Sequence, residues 1–223
     1  MSQRAVDASV DVGVAAAAVE GAGAVVRAGA RHLNGLGDLD ANQAVAYDLA
    51  HAAAAVEAAR AILDYGLLGD VEARIACAFV ADAVYDVACR VLGREELFGV
   101  APGALDAVIH ATSPWRAPSW IAALCGESGP RHLDADFEMV QDTFRRFAEE
   151  RVRPVAEHVH RTNSDIPEEI IAGLAGIGTF GLSIPAAYGG FSEGGEGEYL
   201  AMVVATEELS RGSLGVAGSL ITR

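Results

Sequence analysis

From Val45 the apolar side chains fall at Val45, Leu49, Ala52, Val56, Ala59 and Leu63, four and three positions apart in turn. That spacing follows the 3.6-residue turn of an α-helix and sets them on one stripe. Asp48, Glu57 and Arg60 fall elsewhere on the same cylinder. The stripe stops at Gly66, a turn is marked at Gly69, and a second stripe runs Ala76, Val80, Val84, Val87, Val91 to Gly93. Two long helices joined by so short a connection, residues 66–70, should form an antiparallel hairpin. The many alanines on the seam let the backbones approach closely. A first helix over residues 5–31 is expected beside them. Strand signals are nearly absent, so the fold class is all-α.

Composition removes whole classes of function. Sixteen basic residues stand against thirty-one acidic ones, a formal charge of −15, and every base is arginine. Without lysine there is no Walker-type phosphate lysine and no Schiff-base amine. The net negative field repels polyanions, so nucleic acid is not an expected partner. Cys77, Cys89 and Cys125 are odd in number and widely spaced, which gives no disulfide framework and suits free thiols in a reducing, cytoplasmic setting. The most apolar stretch, residues 10–30, is broken by Asp11, Glu20 and Arg27, so no membrane span is expected.

Residues 99–130 change texture. Pro102, Pro114, Pro118 and Pro130, with Gly103, Gly126 and Gly129, punctuate short pieces. Trp115 and Trp120 read as anchors pinning this segment to a helical surface. Residues 1–126 are therefore read as a helical extension, 127–133 as a linker and 134–223 as a second helical domain.

In that second part Phe137, Val140, Phe144 and Phe147 repeat at helical spacing behind the N-cap candidate Asp134. Asp142–Arg146 and Glu149–Arg153 are expected i,i+4 pairs. Pro154 should end or kink the helix. Asp165 and Pro167 open a short helix through Ile170, Ile171 and Leu174. After a glycine-rich loop, residues 198–211 are apolar on most faces and should form a central, buried helix. Residues 213–223 begin a further apolar helix that ends without cap or polar tail, so the chain reads as the front part of something longer.

Few motifs carry chemistry. His158 and His160 diverge on a helix, and no HExxH or CxxC pair exists, so no metal site is expected. Glu168 and Glu169 suit a first helical turn. Glu207 and Glu208 interrupt the apolar helix and are expected to pair with an arginine. The loop from Tyr188-Gly189-Gly190-Phe191 to Gly197 has no GxGxxG and follows no strand, so it is not a dinucleotide fingerprint. Its glycines supply unusual backbone angles.

The order of pieces in the last ninety residues says more. Phe137-Glu138-Met139-Val140 through Phe147-Ala148-Glu149-Glu150 is followed by Val152-Arg153-Pro154, then Ile166-Pro167-Glu168-Glu169 and Gly181-Leu182-Ser183-Ile184-Pro185. Tyr188-Gly189-Gly190 and Glu207-Glu208-Leu209-Ser210-Arg211 complete the series. This succession resembles the N-terminal helical domain of the acyl-CoA dehydrogenases. The resemblance implies an FAD-dependent enzyme in which a glutamate takes the α-proton of an acyl-CoA thioester while the β-hydrogen leaves as hydride. It also implies an enoyl-CoA product, electron-transfer flavoprotein as electron acceptor and a homo-oligomer. The family's β-domain and C-terminal helical domain, which carry the flavin contacts and usually the base, have no counterpart in these residues, so no catalytic residue is assigned. The segment after Arg211-Gly212 corresponds to one lining the family's acyl pocket. Val216, Ala217, Ser219, Leu220 and Ile221 thereby become substrate-binding candidates, with an ordinary core helix as the competing reading. Arg223 could meet a distal carboxylate.

Ordinary members of that family begin near the aromatic-striped helix, whereas this chain has more than a hundred residues before it. Ala46-Tyr47-Asp48-Leu49-Ala50-His51 and Gly93-Arg94-Glu95-Glu96-Leu97 resemble an extended subgroup acting on a branched dicarboxylic acyl-CoA. The rival expectation is a helical interaction module derived from the same domain that has lost catalysis.

Overall fold

The computed structural model describes residues 9–127, 129–192 and 194–218. Among them the chain is helical, with an isolated parallel bridge between Pro185 and Ser192 and no named strand. It divides into two units, Met1–Pro130 and Arg131–Arg223.

In the first unit, α1 (Val12–Leu36) starts where the Asp11 carboxylate accepts the Val14 amide at 2.9 Å, and it ends on Gly37 in the left-handed conformation. The helix lies several residues later at both ends than apolar periodicity implied. A side-chain cap and a glycine stop set the ends of this helix. Then come α2 (Gln43–Tyr65) and α3 (Asp70–Val91), the expected hairpin. Their buried stripes are those of the sequence: Val45, Ala52, Val56 and Ala59 on one, Ala76, Val80, Val84, Val87 and Val91 on the other. Each buried valine is worth roughly 1.5–3 kcal/mol. Cys77, Ala81 and Ala83 are buried too, so α3 is covered on more than one side. α1 is long and apolar enough by length and composition to cross a bilayer. Here it turns Ala15, Ala18, Val19, Ala22 and Val25 into the same core as α2 and α3.

Charges lock the register. Asp48 accepts from Arg90 at 3.1 Å and from Arg94 at 2.6 Å, which joins the two segments that resemble the extended subgroup. α4 (Asp106–Thr112) and α5 (Pro118–Leu124) are the short helices of the proline-punctuated stretch. Both tryptophans anchor it: Trp115 is buried and donates to the Ser9 carbonyl at 3.2 Å, and Trp120 is buried with the Arg74 guanidinium over its ring.

In the second unit, Asp134 caps α6 (Ala135–Phe147) by accepting from the amides of Asp136 and Phe137. The helix does not stop before Pro154. It widens into a π-helical turn, Ala148–Val152, and continues as α7 (Arg153–Thr162) with the proline in its first turn. A proline removes one donor, and a turn of i→i+5 geometry is one of the few ways to absorb the loss without ending the helix. Glu149 pairs with Arg153 at 2.8 Å as expected. Among the described residues Asp142 and Arg146 do not pair; the Asp142 charge acts on Arg145 instead. Next, α8 (Glu168–Gly176) begins directly after Pro167, without a side-chain cap from Asp165. The unit closes with α9 (Glu196–Ser213) and a second π-helical turn, Leu214–Gly218. Phe144, Ala148, Val152, Ile170, Leu174, Ala205, Leu209, Val216 and Ala217 form its core.

Candidate functional site

α9 organises this unit, and its N-terminus is built by the loop before it. The Glu198 carboxylate accepts from the Ser192 hydroxyl and from the Gly194 amide, both at 2.6 Å. A carboxylate in the first turn thus ties down the glycine-rich loop and faces the positive end of the helix. Close packing explains two glycines better than backbone angle does. A Cβ on Gly181 would meet the Phe191 ring at 2.9 Å, and one on Gly190 would come within 2.0 Å of the Ile184 carbonyl oxygen. Gly189 and Gly194 do adopt the positive φ expected of the loop, and Gly178 adopts it just after α8.

The expectation of a helix buried nearly all round needs correction. One side of α9 carries buried Val204, Ala205, Glu208 and Leu209. The other leaves Tyr199 74% and Val203 60% exposed, four residues apart on one stripe, and Leu214 in the following turn is 71% exposed. The unit is too small to wrap a helix on all sides, so part of the apolar surface stays uncovered. Apolar residues open to solvent also include Met139, Tyr188 and Phe191.

The buried side holds a carboxylate. Glu208 is 1% exposed and accepts from Arg145 at 3.2 and 2.8 Å and from Arg211 at 3.0 Å. Burial is the largest single influence on this carboxyl and pushes its pKa up, but the two arginines together outweigh it and hold the group below its ordinary value. Arg211 also donates to Glu149 at 2.6 Å, and Glu149 in turn takes Arg153. Arg131 pairs with Glu207 and lies 3.9 Å from Glu208. The expected arginine partners of both glutamates are therefore present. The i,i+3 spacing of Glu208 and Arg211 could have flagged one of them, but Arg145 lies 63 positions away in sequence and carries no local signal.

Of the substrate-binding candidates, Val216 and Ala217 are both buried in the core of the unit beside Ala148 and Val152. Ser219, Leu220, Ile221 and Arg223 lie outside the described residues. Among the described residues no three His, Cys, Asp or Glu side chains converge to hold a metal ion. A recess of about 390 Å³ in the first unit is lined by Ala30, Leu33, Asn34, Leu39, Ala46 and Leu49, and it presents no titratable group.

Comparison with known proteins bears out the resemblance for the second unit: residues 134–222 match the acyl-CoA dehydrogenase N-terminal domain. The chain is 50% identical over 101 residues to (2S)-methylsuccinyl-CoA dehydrogenase of Cereibacter sphaeroides, an alignment covering 45% of this chain and 17% of that protein. It is 40% identical over 81 residues to 3-(aryl)acrylate reductase of Clostridium sporogenes, covering 36% and 20%. Glutaryl-CoA dehydrogenase of Desulfococcus multivorans is 34% identical over 82 residues, covering 37% and 21%. The chain thus spans about a fifth of the length of the curated relatives it matches.

Proposed function

We propose that this chain is the N-terminal portion of an FAD-dependent acyl-CoA dehydrogenase that oxidises the α,β C–C bond of an acyl-CoA thioester to the enoyl-CoA. The proposed reaction is (2S)-methylsuccinyl-CoA to mesaconyl-CoA, which the 50% identity to the enzyme of that name favours over other acyl groups. The observation carrying the reading is the domain match over residues 134–222 on a unit whose central helix leaves an apolar stripe uncovered. A helix that is apolar on two sides needs a second covering layer. In this reading the layer is the rest of the enzyme together with the thioester's acyl tail.

The described residues do not fit a flavin site by themselves. They offer no strand–turn–helix for a pyrophosphate, and Arg131, Arg145, Arg153 and Arg211 are already engaged by carboxylates. Flavin contacts and the catalytic base are assigned to other segments, and no chemical step is routed through this chain's own side chains. Electron-transfer flavoprotein as acceptor, a homo-oligomeric assembly and a cytoplasmic setting belong to the same proposal.

The test is reconstitution. The chain is combined, fused or in trans, with the β- and C-terminal domains of a methylsuccinyl-CoA dehydrogenase, and bound flavin and enoyl-CoA formation are measured. Recovered flavin and thioester oxidation support the enzyme. A complex that forms without either supports a non-catalytic interaction module instead.

A further inference from the structure

The first unit buries a carboxylate that the proposed function leaves unused. Glu72, in the first turn of α3, is 2% exposed. Its two oxygens face two different stretches of backbone. A Cβ added to Gly69, the residue before α3, would collide with Oε2, and one added to Gly129 would sit 2.5 Å from Oε1. Gly129 belongs to the segment by which the chain leaves the first unit at Pro130. A charged group buried this deeply needs polar company, and the start of a helix supplies it, because the amide dipoles of α3 favour an anion in the first turn. The carboxylate is thus fixed from the helix side, and Gly129 lies over it.

Two residues further along, Arg74 holds the same segment from another direction. Its guanidinium pairs with Glu127 and lies over the ring of buried Trp120 in α5, 5.8 Å from the ring centre. The Glu127 amide continues the turn that ends α5 by donating to the Leu124 carbonyl at 3.1 Å. At neighbouring Gly126, by contrast, an added Cβ meets nothing within 4 Å. A bare backbone is therefore required at Gly129 and not at Gly126, which makes Gly129 a seat rather than a flexible joint.

We propose that Glu72, backed by Arg74, is a latch that clamps Glu127 and Gly129 onto the start of α3 and so sets the length of the free connection to the second unit. Latched, that connection is residues 130–133, about 14 Å at full extension; released, it is residues 127–133, about 24 Å. The latch is built within the first unit and owes nothing to the proposed function.

Amide hydrogen exchange and tryptic cleavage after Arg131, both on the full chain, test the latch. Gly129→Val drives a side chain into the Glu72 carboxylate without altering α3. Exchange at positions 127 and 129 then rises about tenfold or more and cleavage after Arg131 speeds up several-fold, while Val80 and Val84 in the core keep their protection. Gly126→Val, a change of equal size with open space around it, leaves both readouts at the wild-type level. Glu72→Ala gives the same rise at positions 127 and 129 as Gly129→Val. Arg74→Gln gives a smaller one, about two- to fivefold, because its pair with Glu127 is partly hydrated. Wild-type exchange at positions 127 and 129 in Gly129→Val, or an equal rise in Gly126→Val, overturns the proposal. So does a Glu72→Ala variant that loosens Ala73 at the start of α3 but leaves position 129 protected, since Glu72 is then a helix cap and nothing more. Loss of protection at Val80 and Val84 in step with the segment overturns it too, because the contact then belongs to the packing of the whole core.

Discussion

Replacing Glu208 with glutamine keeps the shape of a side chain that is 1% exposed and removes its charge. In the native unit both oxygens accept: Oε1 from Arg145 at 2.8 Å, and Oε2 from Arg145 at 3.2 Å and Arg211 at 3.0 Å. Glutamine retains one acceptor and turns an NH2 donor toward guanidinium donors. A buried donor left without an acceptor costs about 1–3 kcal/mol, and breaking a fully buried ion pair costs up to about 3–5 kcal/mol. The side chains of Arg145 and Arg211 keep 46% and 43% of their surface in water, so they rehydrate and the upper figure does not apply. The expected loss is about 2–3 kcal/mol, which for a unit of this size lowers Tm by roughly 8–24 °C. The assay is thermal and urea unfolding followed by far-UV circular dichroism. Both tryptophans, Trp115 and Trp120, lie in the first unit, so a loss located in the second shifts the dichroism transition more than the emission transition. The effect also depends on pH with a definite sign. Because the folded carboxyl is held below its unfolded value of 4.5, its stabilisation is present above that pH and disappears as pH falls through the folded pKa. The gap between wild type and Glu208→Gln should therefore be full at pH 7 and narrow progressively below pH 4.5. A gap under about 0.5 kcal/mol at pH 7, or one that stays constant into acid, would refute the idea that the carboxylate's charge holds this hub.

Other expectations follow from single contacts. Asp11→Ala removes the cap on the Val14 amide and should cost the first unit about 1 kcal/mol, read from the urea midpoint of tryptophan emission. Gly190→Ala drives a methyl group into the Ile184 carbonyl, and backbone cannot swing aside as a flexible side chain would. It should cost about 1–3 kcal/mol and open residues 181–192 to limited proteolysis, where the Phe191 and Ser192 amides now bond to the Gly181 and Ile184 carbonyls. Of the three thiols, Cys89 and Cys125 are exposed whereas Cys77 is buried, and burial pushes its pKa up. An aromatic disulfide reagent should titrate two thiols in the native protein and the third only in denaturant. Three fast thiols would contradict the packing of α3.

The two hairpin helices of the first unit were legible because the three-and-four spacing of Val45 to Leu63 and of Ala76 to Val91 is a property of neighbouring residues. The same holds for the Asp134 cap, the Glu149–Arg153 pair and the two anchoring tryptophans, all of them short-range chemistry or bulky apolar groups in polar surroundings. The helical ends were less legible. α1 starts at Val12 because the Asp11 carboxylate reaches one particular amide, and apolar periodicity does not register such a contact. Pro154 signalled a disturbance in the helix without saying which of several geometries would absorb it.

Order and spacing of short motifs carried the family resemblance, since those survive as text. The sequence by itself also determined that the chain is helical, acidic and without lysine. What only the tertiary structure decided is which side of α9 is covered, which arginine reaches Glu208, and that two π turns face each other across Gly212. Periodicity is enforced by sterics within one turn of helix. Exposure and ion pairing depend instead on which other surface arrives, as when Arg145 meets a glutamate 63 positions away. A stripe such as Tyr199 and Val203 reads the same in the sequence whether or not anything comes to lie against it.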